Sequence, residues 1–182
     1  MKHFRDFKEY KASDHMTRLS YMADDTAGII RKGSLVGLIT ATNKIALCRV
    51  THATGPATGT PVALEIPVTA GEETRFRATV DSVVALHAGA EVNLGLVTEV
   101  DTENHTITVS EDASAIVADD AIYVGDGSNI AIGVIDEDVE GSAEVIETRK
   151  MAIVLVHGMV EIAKLQNYFK EAKAQLPLIL FI

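Results

Sequence analysis

Residues 145–165, VIETRKMAIVLVHGMVEIAKL, carry two apolar runs separated by a His-Gly pair. The first run, Met151–Val156, is six consecutive apolar residues between the basic Arg149-Lys150 and His157-Gly158. A run of this length that is rich in Val and Ile is typical of a fully buried strand, and it is too short to cross a membrane. We therefore predict the central strand of a β core here.

Short apolar runs separated by turn residues continue towards the N-terminus. Between Val62 and Tyr123 they recur about every ten residues, a spacing typical of a small barrel or sandwich. The segment that favours a helix is Ala163–Gln175, and the chain ends on the apolar run Pro177–Ile182. The sequence thus predicts a mainly β fold with one C-terminal helix, and the last run should be a buried strand or part of a subunit contact.

The charge of the chain is unevenly distributed. Of its net −10, residues 65–147 contribute nineteen Asp and Glu against two Arg, whereas residues 1–32 hold seven basic and five acidic residues. An acidic middle repels phosphate, so we expect no binding to nucleic acid. The single Cys48 lies in an apolar run and the segment MKHFRDFKEYK lacks an apolar leader, which predicts a protein made in a reducing cytoplasm.

Catalytic and ligand-binding signatures are weak. The six histidines show no metal-ligand spacing, and no phosphate-binding loop or nucleophile motif is present. Acidic clusters at Asp119-Asp120-Asp126 and Asp136-Glu137-Asp138 lack the spacing of a calcium loop and are better interpreted as turn residues. We therefore expect no enzyme activity, no metal and no cofactor.

Three segments carry a resemblance to a known family: RKGSLVGLIT at 31–40, IGVIDEDV at 132–139 and VLVHGMVEIAKL at 154–165. In this order they resemble the lambda-type head decoration proteins of tailed bacteriophages, which stabilise the capsid. The match covers the two ends of the chain, and the middle has no counterpart in compact members of the family. The resemblance implies a small β-barrel or β-tulip-like core (27–61 and 125–182), an N-terminal arm (1–26) and an inserted β-rich domain (62–124).

The resemblance also implies a function and a set of contacts. Such a protein binds the outer surface of the expanded head as a homotrimer at local three-fold positions and clamps the major capsid protein, so it is located on the virion after synthesis in the bacterial cytoplasm. The arm residues that would bind the capsid are Phe4, Phe7, Tyr10, Leu19 and Tyr21. The residues that would form the trimer interface are Leu165, Phe169, Leu178 and Phe181.

Two other interpretations of the sequence stay open. One is a different virion β-barrel, such as a tail-tube or fibre-base protein, which would assemble into rings. The other is a trimeric β-fold enzyme whose site forms between subunits from residues far apart in the sequence.

Overall fold

The computed structural model describes residues 16–24, 30–60, 63–139 and 151–182. Strands make up 49% of the described residues and helices 7%, which confirms the predicted mainly β class. The strands in chain order are β1 Thr17–Met22, β2 Leu35–Leu38, β3 Ile45–Leu47, β4 Val50–His52, β5 Thr58–Thr60, β6 Ala63–Pro67, β7 Ser82–His87, β8 Ala90–Asp101, β9 Thr106–Val109, β10 Ala121–Val124, β11 Ala131–Ile135, β12 Met151–Val160 and β13 Ile179–Phe181. The helix α1 spans Ala172–Gln175.

The chain divides into two compact units. The core unit comprises residues 1–48 and 127–182, and the middle unit comprises residues 49–126. Residues 49–61, which we assigned to the core from the sequence, lie instead in the middle unit, because β4 pairs with β10. The segment Ile45–Val50, whose apolar residues predict one strand from the sequence, accordingly contributes to two strands, β3 and β4, which belong to different sheets.

The core unit is built on a sheet with the order β1-β12-β11-β2-β3. A parallel bridge between Ala23 and Ile45 connects the two ends of this order, so the five strands close into a small barrel. Alternate strand residues point inward and form an apolar core. Its buried members are Ala23, Ile30, Val36, Ile45, Ile135, Val139, Ala152 and Val154.

Strand β12 has the central place that the sequence predicts. It pairs antiparallel with β1 and β11, and its C-terminal end pairs in parallel with β13. The expected break at His157-Gly158 is absent, since the strand continues through this pair to Val160. The same strand therefore connects the barrel to the C-terminal strand.

The C-terminal helix is much shorter than Ala163–Gln175. Only Ala172–Gln175 is α-helical, and a short 3-10 turn occupies Ile162–Lys164. Between them the buried Asn167 side chain accepts a hydrogen bond from the Leu35 amide at 2.7 Å and donates to two carbonyls, of Leu35 at 3.0 Å and Cys48 at 2.8 Å. These tertiary bonds fix an irregular backbone and override the helix propensity of the segment.

The middle unit is a second closed barrel. Its sheet has the order β4-β10-β7-β8-β9-β6-β5, and an antiparallel bridge between Ala53 and Val68 joins the β4 and β6 ends. The interior is apolar, with Ile66, Leu94 and Ile107 among its fully buried residues. Among the runs between Val62 and Tyr123, Thr74–Val80 also predicts a strand from the sequence. This strand does not form: a 3-10 turn at Glu73–Arg75 and a loop replace it.

Candidate interaction surface

The residues predicted for the N-terminal arm fall into two groups. Phe4, Phe7 and Tyr10 lie outside the described residues. Leu19 and Tyr21 lie on β1, which pairs along its length with β12 of the same chain, so residues 17–22 are not a free arm. Leu19 is exposed, whereas Tyr21 packs against the apolar core of the barrel. Of the predicted capsid-binding residues, Leu19 is therefore the one that the described structure leaves accessible.

Strand β1 contributes further exposed apolar surface that the sequence did not single out. Met22 and Met151 face each other across the β1–β12 pairing, and both are exposed. Five of the six β1 residues are exposed. Methionine side chains are flexible and adapt to varied partner surfaces. We refer to Met22 and Met151 as the β1 patch; Leu19 is three residues from Met22 and therefore points to the opposite face of β1.

Of the four residues predicted for the trimer interface, the structure buries two and leaves the other two partly or largely exposed. Phe169 is 4% exposed and Phe181 is 7% exposed, and the Phe181 ring lies 5.9 Å from the ring of Tyr168. Both phenylalanines thus pack inside the core unit and are not available to a partner. Leu165 is partly buried, and Leu178 is 64% exposed.

Two further exposed residues extend the surface of Leu178. Leu180 is 56% exposed and Ile182 is 53% exposed, while the intervening Ile179 and Phe181 are buried. Neighbouring strand residues point to opposite faces, so alternation places Leu178, Leu180 and Ile182 on one outward face. The sequence does not reveal which of these residues are buried and which are exposed, because every residue of the run is apolar. We call these three residues the C-terminal stripe.

Charge is segregated between the two units. The middle unit holds 13 Asp and Glu, three Arg and no Lys, so its formal charge equals the −10 of the whole chain and the core unit is neutral. Seven of its carboxylates are exposed: Glu65, Glu91, Glu99, Glu103, Glu111, Asp112 and Asp119. The β1 patch and the C-terminal stripe both belong to the neutral core unit.

The buried acids of the middle unit have basic partners. His87 Nδ1 lies 2.8 Å from Asp120 Oδ2, and His105 Nδ1 lies 3.3 Å from Glu73 Oε1. Asp120 Oδ2 also accepts a hydrogen bond from the Val117 amide. The carboxylates are thus held by structural bonds. Within the described ranges, no group of three or more potential metal ligands occurs.

A cleft of about 260 Å³ lies in the middle unit. Asp81, whose side chain is 2% exposed, organises its wall. The carboxylate pairs with Arg49 and accepts hydrogen bonds from the Arg77 amide at 2.7 Å and from Arg77 Nη2 at 2.9 Å. Burial opposes ionisation of Asp81, but the bonds from both arginines outweigh it and lower its pKa. Because these bonds already satisfy the carboxylate, we assign it a structural role.

The comparisons with known proteins identify no relative: no family model, no curated protein and no solved structure matches the chain. No helix among the residues described here is long and apolar enough to span a membrane. The observations that bear on function are therefore the two apolar surfaces of the core unit and the charge of the middle unit.

Proposed function

We propose that this chain is a head decoration protein of a tailed bacteriophage, which binds the outer surface of the expanded capsid as a homotrimer and stabilises the shell. The proposal starts from the three family-like segments. Residues 31–38 include β2, residues 132–135 lie in β11 and residues 154–160 lie in β12. The three segments thus occupy adjacent strands of one barrel, which supports reading them as parts of one module.

The observation that carries the proposal is that the net charge lies in the middle unit, whereas seven of the ten exposed large apolar residues among those described lie in the core unit. A decoration protein needs an apolar surface that binds the shell and a hydrophilic surface that prevents coated heads from associating with one another. The neutral core unit holds the β1 patch and the C-terminal stripe, and the middle unit holds the net negative charge. We assign capsid contact to the β1 patch and solubility of the coated head to the middle unit.

The test is binding to purified expanded heads of the encoding phage that lack this protein. In a co-sedimentation assay, the wild-type chain should pellet with the heads and saturate at a fixed number of copies per head. The variant Met22→Glu should lose binding, because a charge would enter the apolar contact. The matched control is Glu99→Lys, which changes an exposed carboxylate of the middle unit and should bind as the wild type does.

The contrary outcomes are equally definite. If the wild-type chain stays in the supernatant at every concentration, decoration is wrong. If E99K abolishes binding while M22E retains it, the contact lies on the middle unit and our assignment of the units is reversed. Thermal unfolding of each variant shows whether the barrel is intact, since both changes lie on exposed positions.

A further inference from the structure

We infer that the C-terminal stripe, Leu178, Leu180 and Ile182, is a contact between copies of this chain. The inference deepens the proposed function, because a homotrimer requires a surface where copies meet. It replaces the interface predicted from the sequence: the two phenylalanines are interior residues, and Leu180 and Ile182 take their place beside Leu178.

The stripe is unusual among the exposed apolar residues of the chain. Its three members are each more than half exposed and follow one another at alternate positions of a single strand end. A single exposed Leu on a soluble protein needs no explanation, but a contiguous apolar row does. A row of three branched side chains, all on one face, is the form that a strand takes when that face is covered by a partner.

The backbone of β13 adds a second component. Within the described part of the chain, β13 pairs on one side only, in parallel with β12 at Gly158–Val160. Its other edge presents peptide groups that can pair with a strand of another molecule. Natural proteins commonly protect such an edge with charge or proline, yet residues 178–182 carry neither.

The occupant that these features favour is a second copy. The core unit has no net charge, so two copies can approach through it without net repulsion, whereas contact through the middle unit would bring together two charges of −10. An apolar row is also complementary to an identical row, since it offers no polar group that requires a different partner.

The size of the stripe sets the strength of the contact. Three exposed aliphatic side chains present a few hundred Å² of apolar surface, which is below the roughly 800 Å² per partner of a standard stable interface. Self-association should therefore be weak and concentration-dependent in solution.

The experiment is sedimentation equilibrium of the full chain from micromolar to millimolar concentration. We expect reversible association of the wild type, weakened by about tenfold or more in Leu180→Glu, because the charge would enter the centre of the contact. The matched control is Ile130→Glu, which alters an equally exposed apolar residue of the same unit at 58% exposure and should associate as the wild type does.

Three outcomes would overturn the inference. They are a wild type that stays monomeric throughout the concentration range, equal association of L180E and wild type, and association that appears only after residues 1–15 are deleted. The last result would show that this segment of the same chain covers the stripe.

The head-binding assay separates this inference from the proposed function. Association through the stripe without binding to heads refutes decoration alone. Binding to heads by L180E at wild-type affinity and trimer stoichiometry refutes the stripe alone.

Discussion

Arg18 on β1 and Asp136 after β11 form an ion pair in which Arg18 Nε lies 2.8 Å from Asp136 Oδ2. The Asp136 side chain is 3% exposed and the Arg18 side chain is 35% exposed. The other carboxylate oxygen, Oδ1, is buried without a hydrogen-bond partner. Burial raises the pKa of Asp136, although the Arg18 bond opposes that rise. The pair thus ties the N-terminal strand to the barrel through a carboxylate that is only partly satisfied.

Arg18→Met should lower the free energy of unfolding by about 1–2 kcal/mol at pH 7, less than for a fully buried pair because Arg18 is partly exposed. The loss arises because the variant leaves a buried charge unpaired. The measurement is urea unfolding followed by circular dichroism. The control is Arg31→Met: Arg31 pairs with Asp138 at the surface at 3.3 Å, and its loss should have little effect.

The cost of Arg18→Met should depend on pH. An acid whose pKa is raised by folding favours the folded state when protonated, so its contribution is present below the unfolded pKa and is lost as pH rises through the folded pKa. Protonated Asp136 has no charge for Arg18 to compensate. The difference between wild type and R18M should therefore shrink as pH falls towards the ordinary Asp range. A difference that is the same at pH 7 and at acid pH would contradict this role of the pair.

Asp81 predicts the opposite pH dependence. Its lowered pKa means that it stabilises the fold above the unfolded pKa and that this contribution is lost as pH falls through the folded pKa. Asp81→Asn should cost about 2–4 kcal/mol at pH 7, because Arg49 and Arg77 lose their common carboxylate. In denaturant unfolding, the gap between wild type and D81N should narrow at pH values below the ordinary Asp range. The control is Glu103→Gln, which changes an exposed turn residue of the same unit. Its free energy of unfolding should match that of the wild type at each pH.

Asn167 holds the C-terminal segment against the core unit. Asn167→Ala should lower the free energy of unfolding by about 2–4 kcal/mol, because the buried Leu35 amide and the Cys48 carbonyl lose their Asn167 partner, while the Leu35 carbonyl keeps its bond from the Cys48 amide. The control Lys173→Ala changes an exposed residue of α1 and should have no comparable effect. Hydrogen exchange of residues 161–182 provides the local measurement. Unchanged protection in N167A would show that these bonds do not anchor the segment.

The same residue shows what the sequence could predict and what it could not. Alternation and turn residues were sufficient for the β class and for the place of β12, because both are local signals. The bonds of Asn167 join residues more than a hundred positions apart, so no local pattern reveals that they interrupt the helix. The split between β3 and β4 has a related cause: Ile45–Val50 contains no turn residue, and only the pairing partners divide it.

The candidate surface has a similar division. The apolar ending predicts a buried strand or a subunit contact, and the structure shows buried and exposed residues in it at alternate positions. Periodicity could not separate them, since Leu, Ile and Phe occupy both faces of residues 178–182. The pairing of β1 with β12 could not be predicted from the sequence either, because the β1 sequence TRLSYM is too polar to indicate a buried strand. Pairing within the barrel and the ion pair of Arg18 with Asp136 hold this segment in place.

Tyr123 provides a test of the middle unit that needs no partner. Its hydroxyl donates a hydrogen bond to Glu91 Oε1 at 2.8 Å, and burial together with this carboxylate raises its pKa to about 12. An ultraviolet titration of the folded chain should therefore show a late ionisation step from Tyr123, at about pH 12 and well above the ordinary tyrosine value of about 10. Glu91→Gln should lower that pKa only in part, because burial remains the larger cause. Tyr123→Phe should remove the late step entirely, and Tyr168→Phe should preserve it. A late step that survives in Y123F would mean that another tyrosine carries it and that the Tyr123–Glu91 bond does not form in solution.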